Sequence, residues 1–147
     1  MGTTVVAAMV RGDRLSVAHV GDSRLYVAAD GRVRQLTQDD SWMTTLLATN
    51  PDADPAVLQH HPMRHALTNV VGSRAATEVH IVEEALAGGE VLLLTTDGVH
   101  GVLDAKALER IVERVDLDQL AAEVVGAALA RGSRDNCTAV VAQYVKS

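Results

Sequence analysis

Phenylalanine is absent from this chain of 147 residues, and tryptophan and cysteine occur once each, as Trp42 and Cys137. An aromatic core is therefore excluded. One sizeable core for a single domain has to come from valine, leucine, alanine and isoleucine. A lone cysteine excludes an internal disulfide and fits a reducing cytoplasm, the expected location. As the small residue that opens an apolar strand, Cys137 reads as structural. Proline is scarce, and Pro51, Pro55 and Pro62 all fall in one stretch. Positive charge is also short: the net charge of −6 argues against a nucleic-acid partner, which wants a basic face. No apolar run nears the ~18 residues of a membrane helix. The opening Met1-Gly2-Thr3-Thr4 lacks the basic region of a signal peptide. The expected protein has neither a nucleic-acid nor a membrane partner.

What is present is a strand pattern broken by turns. Apolar runs at 4–10, 15–20, 25–29 and 33–36, separated by Arg11-Gly-Asp-Arg14, Gly21-Asp-Ser23 and Asp30-Gly31, predict an antiparallel meander. Asp40-Ser41 can cap a helix over 42–49, which Asn50-Pro51 ends. From Pro51 to about Arg74 the pattern weakens into an irregular excursion, of the kind more often functional than not. Strands are expected again at 77–86 and 91–95, the latter innermost. Asp104 and Asp116 can then cap helices over 105–115 and 117–130. The second places Leu117, Leu120, Ala121, Val124, Val125, Ala128 and Leu129 on one face, and Gly132 stops it. A last strand spans 138–145. The fold class is α+β, with mostly antiparallel strands and helices outside.

Two aspartates stand at the ends of apolar runs. Asp97 closes Val91-Leu-Leu-Leu-Thr-Thr-Asp97-Gly98, where Gly98 is expected to free the backbone to turn. Asp135 lies in Ser133-Arg-Asp135-Asn136-Cys-Thr-Ala-Val-Val-Ala142, a turn leading into another buried strand. A third, Asp22, sits on the tight turn of Val20-Gly21-Asp22-Ser23-Arg24-Leu25-Tyr26. Carboxylates at strand ends beside a packed core build rigid oxygen sites for Mg²⁺ or Mn²⁺. The same residues also serve as plain turn caps.

Taken in register, Val-Gly-Asp-Ser-Arg-Leu-Tyr (20–26), Leu-Thr-Gln-Asp-Asp (36–40), Leu-Leu-Leu-Thr-Thr-Asp-Gly (92–98) and Arg-Asp-Asn-Cys-Thr-Ala-Val-Val (134–141) resemble the metal-dependent protein serine/threonine phosphatases. This is the PPM or type 2C class, in its bacterial branch. Gly2-Thr3-Thr4-Val5 is similar to the family's internal Gly-Thr-Thr segment. The resemblance implies an antiparallel β-sandwich flanked by helices, the α-β-β-α phosphatase fold. It also implies a dinuclear Mn²⁺ or Mg²⁺ centre at one edge, where a metal-bridging water attacks the phosphorus of phosphoserine or phosphothreonine. By position, Asp97 and Asp135 match family metal ligands, and Asp22 matches the acidic residue that helps hold a weaker extra metal. Asn136 would orient the Asp135 loop, and about 44–74 corresponds to the family's variable flap.

Family members also carry a phosphate-binding Arg, an Asn-Glu-Asp segment and an Asp-Gly-Met-Gly-Gly motif near their start, none of which occurs here. Residues 1–147 thus resemble the C-terminal three-fifths of such a domain, N-terminally incomplete, and the catalytic residues stay unknown. A homo-oligomer or strand-swapped dimer is expected. Three functions remain: a phosphatase acting on phosphoprotein substrates, a catalytically inactive remnant that binds partners or phosphopeptides, and a small acidic metal-binding scaffold. Of the other polar residues, His60, His61 and His65 read as solvated, His19 as a satisfied core histidine, and His100 as a candidate for the site rim. Arg24 and Arg134 read as structural ion pairs or phosphate contacts, and Asp39 and Asp40 as helix-entry caps.

Overall fold

The structure, a computed structural model, describes residues 1–73 and 76–147. Along them run β1 (Val5–Arg11), β2 (Arg14–Val20), β3 (Arg24–Ala29), β4 (Arg32–Gln35), α1 (Trp42–Thr49), α2 (Pro55–Leu58), β5 (His80–Ala85), β6 (Val91–Thr95), α3 (Asp97–His100), α4 (Ala105–Arg114), α5 (Leu117–Ala130) and β7 (Ala139–Gln143). The strands make two antiparallel sheets, ordered β1-β2-β5 and β4-β3-β6-β7. Asp30 and Gly31, with φ of 51° and 73°, close the β3–β4 hairpin as an Asp-Gly pair should.

The expected single meander is split between the sheets. The turn at Gly21-Asp-Ser23 hands the chain from β2 in the first sheet to β3 in the second, and the Gly88–Gly89 turn does the same between β5 and β6. The cause lies in β3, where Leu25, Tyr26, Val27 and Ala28 are all buried. A strand apolar on both faces must lie between two layers, whereas β2 alternates and needs only one.

Leu15, Val17, Leu25, Val27, Leu86 and Leu92 fill the space between the sheets. On the opposite face of the second sheet, Tyr26, Ala28 and Leu93 meet Leu108 and Ile111 of α4 and Leu120, Val124 and Ala128 of α5. Asp104 caps α4 by accepting the Ala107 N–H at 2.8 Å. Asp116 stands at the cap position of α5 without making that bond. Leu117 and Leu129, expected on the packed face of α5, are exposed, because the stripe of Leu120, Val124 and Ala128 already seats the helix.

Helices therefore cover one outer face. The second helical layer expected over β1-β2-β5 is not found among the described residues, and Met9 and Ile81 stand 56% and 62% exposed there. The last strand, expected to be buried, is the edge strand β7, with Val140 54% exposed. Strand β5 begins at His80 rather than Thr77, because the Asn69 side chain binds both the N–H and the C=O of Glu78.

Between the sheets' strands the chain makes the predicted excursion. Ser41, not Asp39 or Asp40, caps α1, its Oγ accepting the Thr44 N–H at 3.2 Å. Asp54 caps the single turn of α2, with Pro55 at its start. Bridges Ser41–Leu67 and Thr3–Val71 tie the far end back to the sandwich. Arg74, the expected limit of the excursion, lies outside the described residues.

Candidate active site

Strand β6 ends at Thr95, and α3 starts at once with Asp97, a short helix the sequence pattern did not predict. The Asp97 carboxylate accepts the Gly98 N–H at 2.9 Å, and Asp135 likewise accepts the Asn136 N–H at 2.7 Å. Each side chain is thus oriented by the next backbone amide. The two turns are then bolted together. Thr96 Oγ1 donates to the Asn136 carbonyl (3.2 Å) and accepts from the Thr138 N–H (3.0 Å). Ser133 Oγ donates to the Gly98 carbonyl (2.6 Å), and Cys137 Sγ lies 3.3 Å from the same oxygen. Cys137 is structural, as its position suggested. The backbone of Asn136, rather than its side chain, makes the contacts that hold the loop.

Gly98 has a role other than the expected one. It sits inside α3 without a positive φ, so turning freedom is not what it supplies. A Cβ there would overlap the Asn136 carbonyl oxygen and come within 3.3 Å of the Asp135 Cβ. Absence of a side chain is what lets the Asp97 and Asp135 turns lie against each other.

Asp22 reaches the site from the sheet-switching turn. Gly21 adopts φ 94°, and Thr4 packs on it from the opening segment while sharing a 2.8 Å hydrogen bond with Ser23. A cleft of about 230 Å³ is lined by Asp22, Arg24, Asp39, His65, Asp97, His100 and Gly101. Burial, reinforced by the Asp97 and Asp39 charges, pushes the Asp22 carboxyl up to about 6. Burial and then the Arg24 charge lower His100 to about 4, so it is neutral at pH 7, with Nδ1 2.9 Å from Thr95 Oγ1. His100 does line the rim.

Arg24 is committed to structure. Its Nε and Nη2 donate to the two Asp39 oxygens at 2.8 and 2.6 Å, and Nη1 donates to the Tyr26 hydroxyl at 3.0 Å. Burial works against its charge, but the Asp39 bonds outweigh it and hold the guanidinium above its usual value. Asp39 is this ion-pair partner and not a helix cap.

His60, His61 and His65 are exposed, as expected. His65 also lines the acidic cleft from the far part of the excursion, and His61 stacks on Trp42, ring centroids 4.4 Å apart and planes 22° apart. One further expectation changes. His19 is buried but not satisfied: no partner for its Nδ1 is found among the described residues. Neither local pattern nor composition signals these contacts, since each depends on how the excursion and the sheets fold back.

Asp22 and Asp97 therefore share one cleft, and the Asp97 and Asp135 turns meet across Gly98, which leaves Asp97 central. Among the described residues no group of three or more His, Cys, Asp or Glu gathers closely enough to hold a metal alone. The donor chemistry nevertheless fits a hard divalent cation: carboxylate oxygens at rigid strand ends, one of them raised to about 6 by burial and then by the Asp97 and Asp39 charges.

Fold and site together define a two-sheet domain with carboxylate turns at one end, and comparison with known proteins agrees. A profile of the family Protein phosphatase 2C matches residues 1–132, and the chain belongs to that family. It is 32% identical to the serine/threonine protein phosphatase PstP of Mycobacterium tuberculosis over 99% of its length, covering 28% of that protein. It is 30% identical to the serine/threonine phosphatase stp of Listeria welshimeri over 97% of its length, covering 57% of that protein. The crystal structure of the M. tuberculosis phosphatase PstP/Ppp superposes with a TM-score of 0.90 at 29% identity, over 99% of this chain and 61% of that one. The PstP catalytic domain in complex with two manganese ions gives 0.82 at 30% identity, over 99% and 60%. The chain thus spans less than two thirds of each of these relatives.

Proposed function

We propose that this chain is part of a metal-dependent phosphatase that hydrolyses phosphoserine and phosphothreonine in proteins, with Asp97, Asp135 and Asp22 among the ligands of Mn²⁺ or Mg²⁺. The observation that carries the reading is the pair of carboxylate turns locked across Gly98, with Asp22 in the adjoining cleft. The manganese-bound relative supports the choice of cation. Such cations lower the pKa of bound water and neutralise charge developing on phosphoryl oxygens. The chain's own residues set the surroundings. Thr96 and Ser133 fix the Asp97 and Asp135 turns, and the Arg24–Asp39 pair walls the cleft. His100 stays neutral and cannot repel a cation at pH 7. The cytoplasm remains the proposed location.

The inactive alternative is favoured by one observation, the lack of a three-ligand group among the described residues. Mn²⁺ titration of the 147-residue chain, paired with phosphopeptide hydrolysis in excess Mn²⁺, separates the two readings. Binding that Asp97→Asn and Asp135→Asn each weaken at least about tenfold, with slow Mn²⁺-dependent turnover, supports the phosphatase. The turnover is expected to be small, because three carboxylates leave most of the six or so ligand positions to water. Binding with no turnover upholds the aspartates as ligands, and it supports the non-catalytic module only where the longer protein that contains these residues is inactive too. No binding at all sinks the assignment of these aspartates.

A further inference from the structure

Asp40, freed from capping α1, is the point where several parts of the molecule meet. Its backbone N–H donates to the Gly21 carbonyl at 3.0 Å, and its Oδ2 accepts the Gly21 N–H at 2.8 Å. The same Oδ2 accepts from Asn69 Nδ2 at 2.8 Å, and the Asp40 carbonyl accepts the Thr68 N–H at 2.9 Å. Oδ1 meets His80 Nε2 at 2.8 Å. Asn69 in turn holds Glu78 by both backbone groups. Only 12% of the Asp40 side chain is exposed, so these bonds face little competition from water. Thr4 packs against Gly21 on the side where a side chain would project.

We propose that Asp40 is a positioning residue. It clasps the start of α1 and the far end of the excursion, at Thr68 and Asn69, to the Asp22 turn, so that opening residues 41–73 and displacing Asp22 from the cleft are one event. A carboxylate suits this task because it accepts from several donors at once, and charge-assisted bonds are the stronger kind. The excursion also carries His65 into the same cleft, so its closure and the placement of Asp22 shape one space. The effect on cation affinity rests on the reading of Asp22 as a ligand; the mechanical coupling does not.

The test uses the full chain with Asp40→Ala, Asp40→Asn and, as a control, Asp22→Ala. Amide exchange is followed by NMR at Gly21, Thr68 and, as the core reference, Leu93, while Mn²⁺ affinity is followed by EPR. Asp40→Ala is expected to speed exchange at Gly21 and Thr68 together by at least about tenfold, leave Leu93 unchanged, and weaken Mn²⁺ binding by about tenfold. Asp40→Asn, which keeps the shape and one acceptor oxygen, should fall between, and it replaces the alanine variant if that chain does not fold. A purely structural role would speed Leu93 in step with the others and would overturn the proposal. So would unchanged Mn²⁺ affinity in the Asp40 variants when Asp22→Ala weakens it. Should Asp22→Ala leave Mn²⁺ binding intact, the ligand reading of Asp22 fails on its own. The clasp is then judged by exchange alone: an unchanged Gly21 amide in Asp40→Ala overturns it, and joint release of Gly21 and Thr68 upholds it.

Discussion

Gly98 lies against the carbonyl of Asn136 with no room for a side chain between them, and this contact brings two acidic turns from distant parts of the chain together. A methyl group at Gly98 has to push the Asp135–Asn136 turn away. Gly98→Ala should therefore destabilise the fold by about 1–3 kcal/mol. The same variant should weaken Mn²⁺ binding, because it shifts the Asp135 turn. Urea unfolding followed by circular dichroism measures the first effect, and an unchanged midpoint would show that the turn gives way without strain.

Asp22 should make stability depend on pH in an unusual direction for a carboxylate. Its folded value near 6 lies above the ordinary 3.8, so the folded chain holds more protons between those values than the unfolded one. Stability must then fall as pH rises through that window, and the penalty is fully present above about pH 6. Asp22→Asn removes the charge and should raise Tm at neutral pH. The gain should vanish below about pH 4, where both forms of the wild-type chain are protonated. Thermal melts at the two pH values decide this, and a variant less stable than wild type at neutral pH contradicts it.

The Arg24–Asp39 pair should be costly to break from one side. Asp39→Ala leaves a half-buried guanidinium with only the Tyr26 hydroxyl, and a cost of about 2 kcal/mol is expected from lost bonds to a charged group. Replacing both, Arg24→Met with Asp39→Ala, should recover part of that loss, since no charge is then left unpaired. Denaturant titrations of the three variants give the comparison. A double variant as unstable as the sum of the singles would mean that the two side chains act independently.

Strands β1 and β7 each end a sheet, and each shows apolar residues to solvent, with Val5, Met9 and Val10 on the first and Val140 on the second. Open apolar edges pair with other chains. The purified chain should therefore associate with itself as its concentration rises, measurable by sedimentation velocity. Met9→Lys should shift the equilibrium toward monomer. A wild-type monomer across the whole concentration range would refute it.

Much of this molecule is local and was legible as such. The α1 and α5 limits, the Asp-Gly hairpin, the Asp104 cap and the position of the acidic turns all follow from side-chain period, φ preferences and short-range hydrogen bonding. The three aspartates and the family resemblance were visible because turn residues and strand ends leave a signature within a few neighbouring positions. Tertiary packing alone decided the rest. Whether β2 and β3 share a sheet depends on β3 being buried on both faces, and burial is a property of the assembled layers. Gly98 reads as a turn residue until Asn136 arrives beside it. Asp39 and Asp40 read as helix caps until Arg24, Gly21, Asn69 and His80 offer better partners than the α1 amides that Ser41 already serves. A carboxylate takes whichever donors folding places within reach, and those donors lie far away in the chain, where no local pattern can show them.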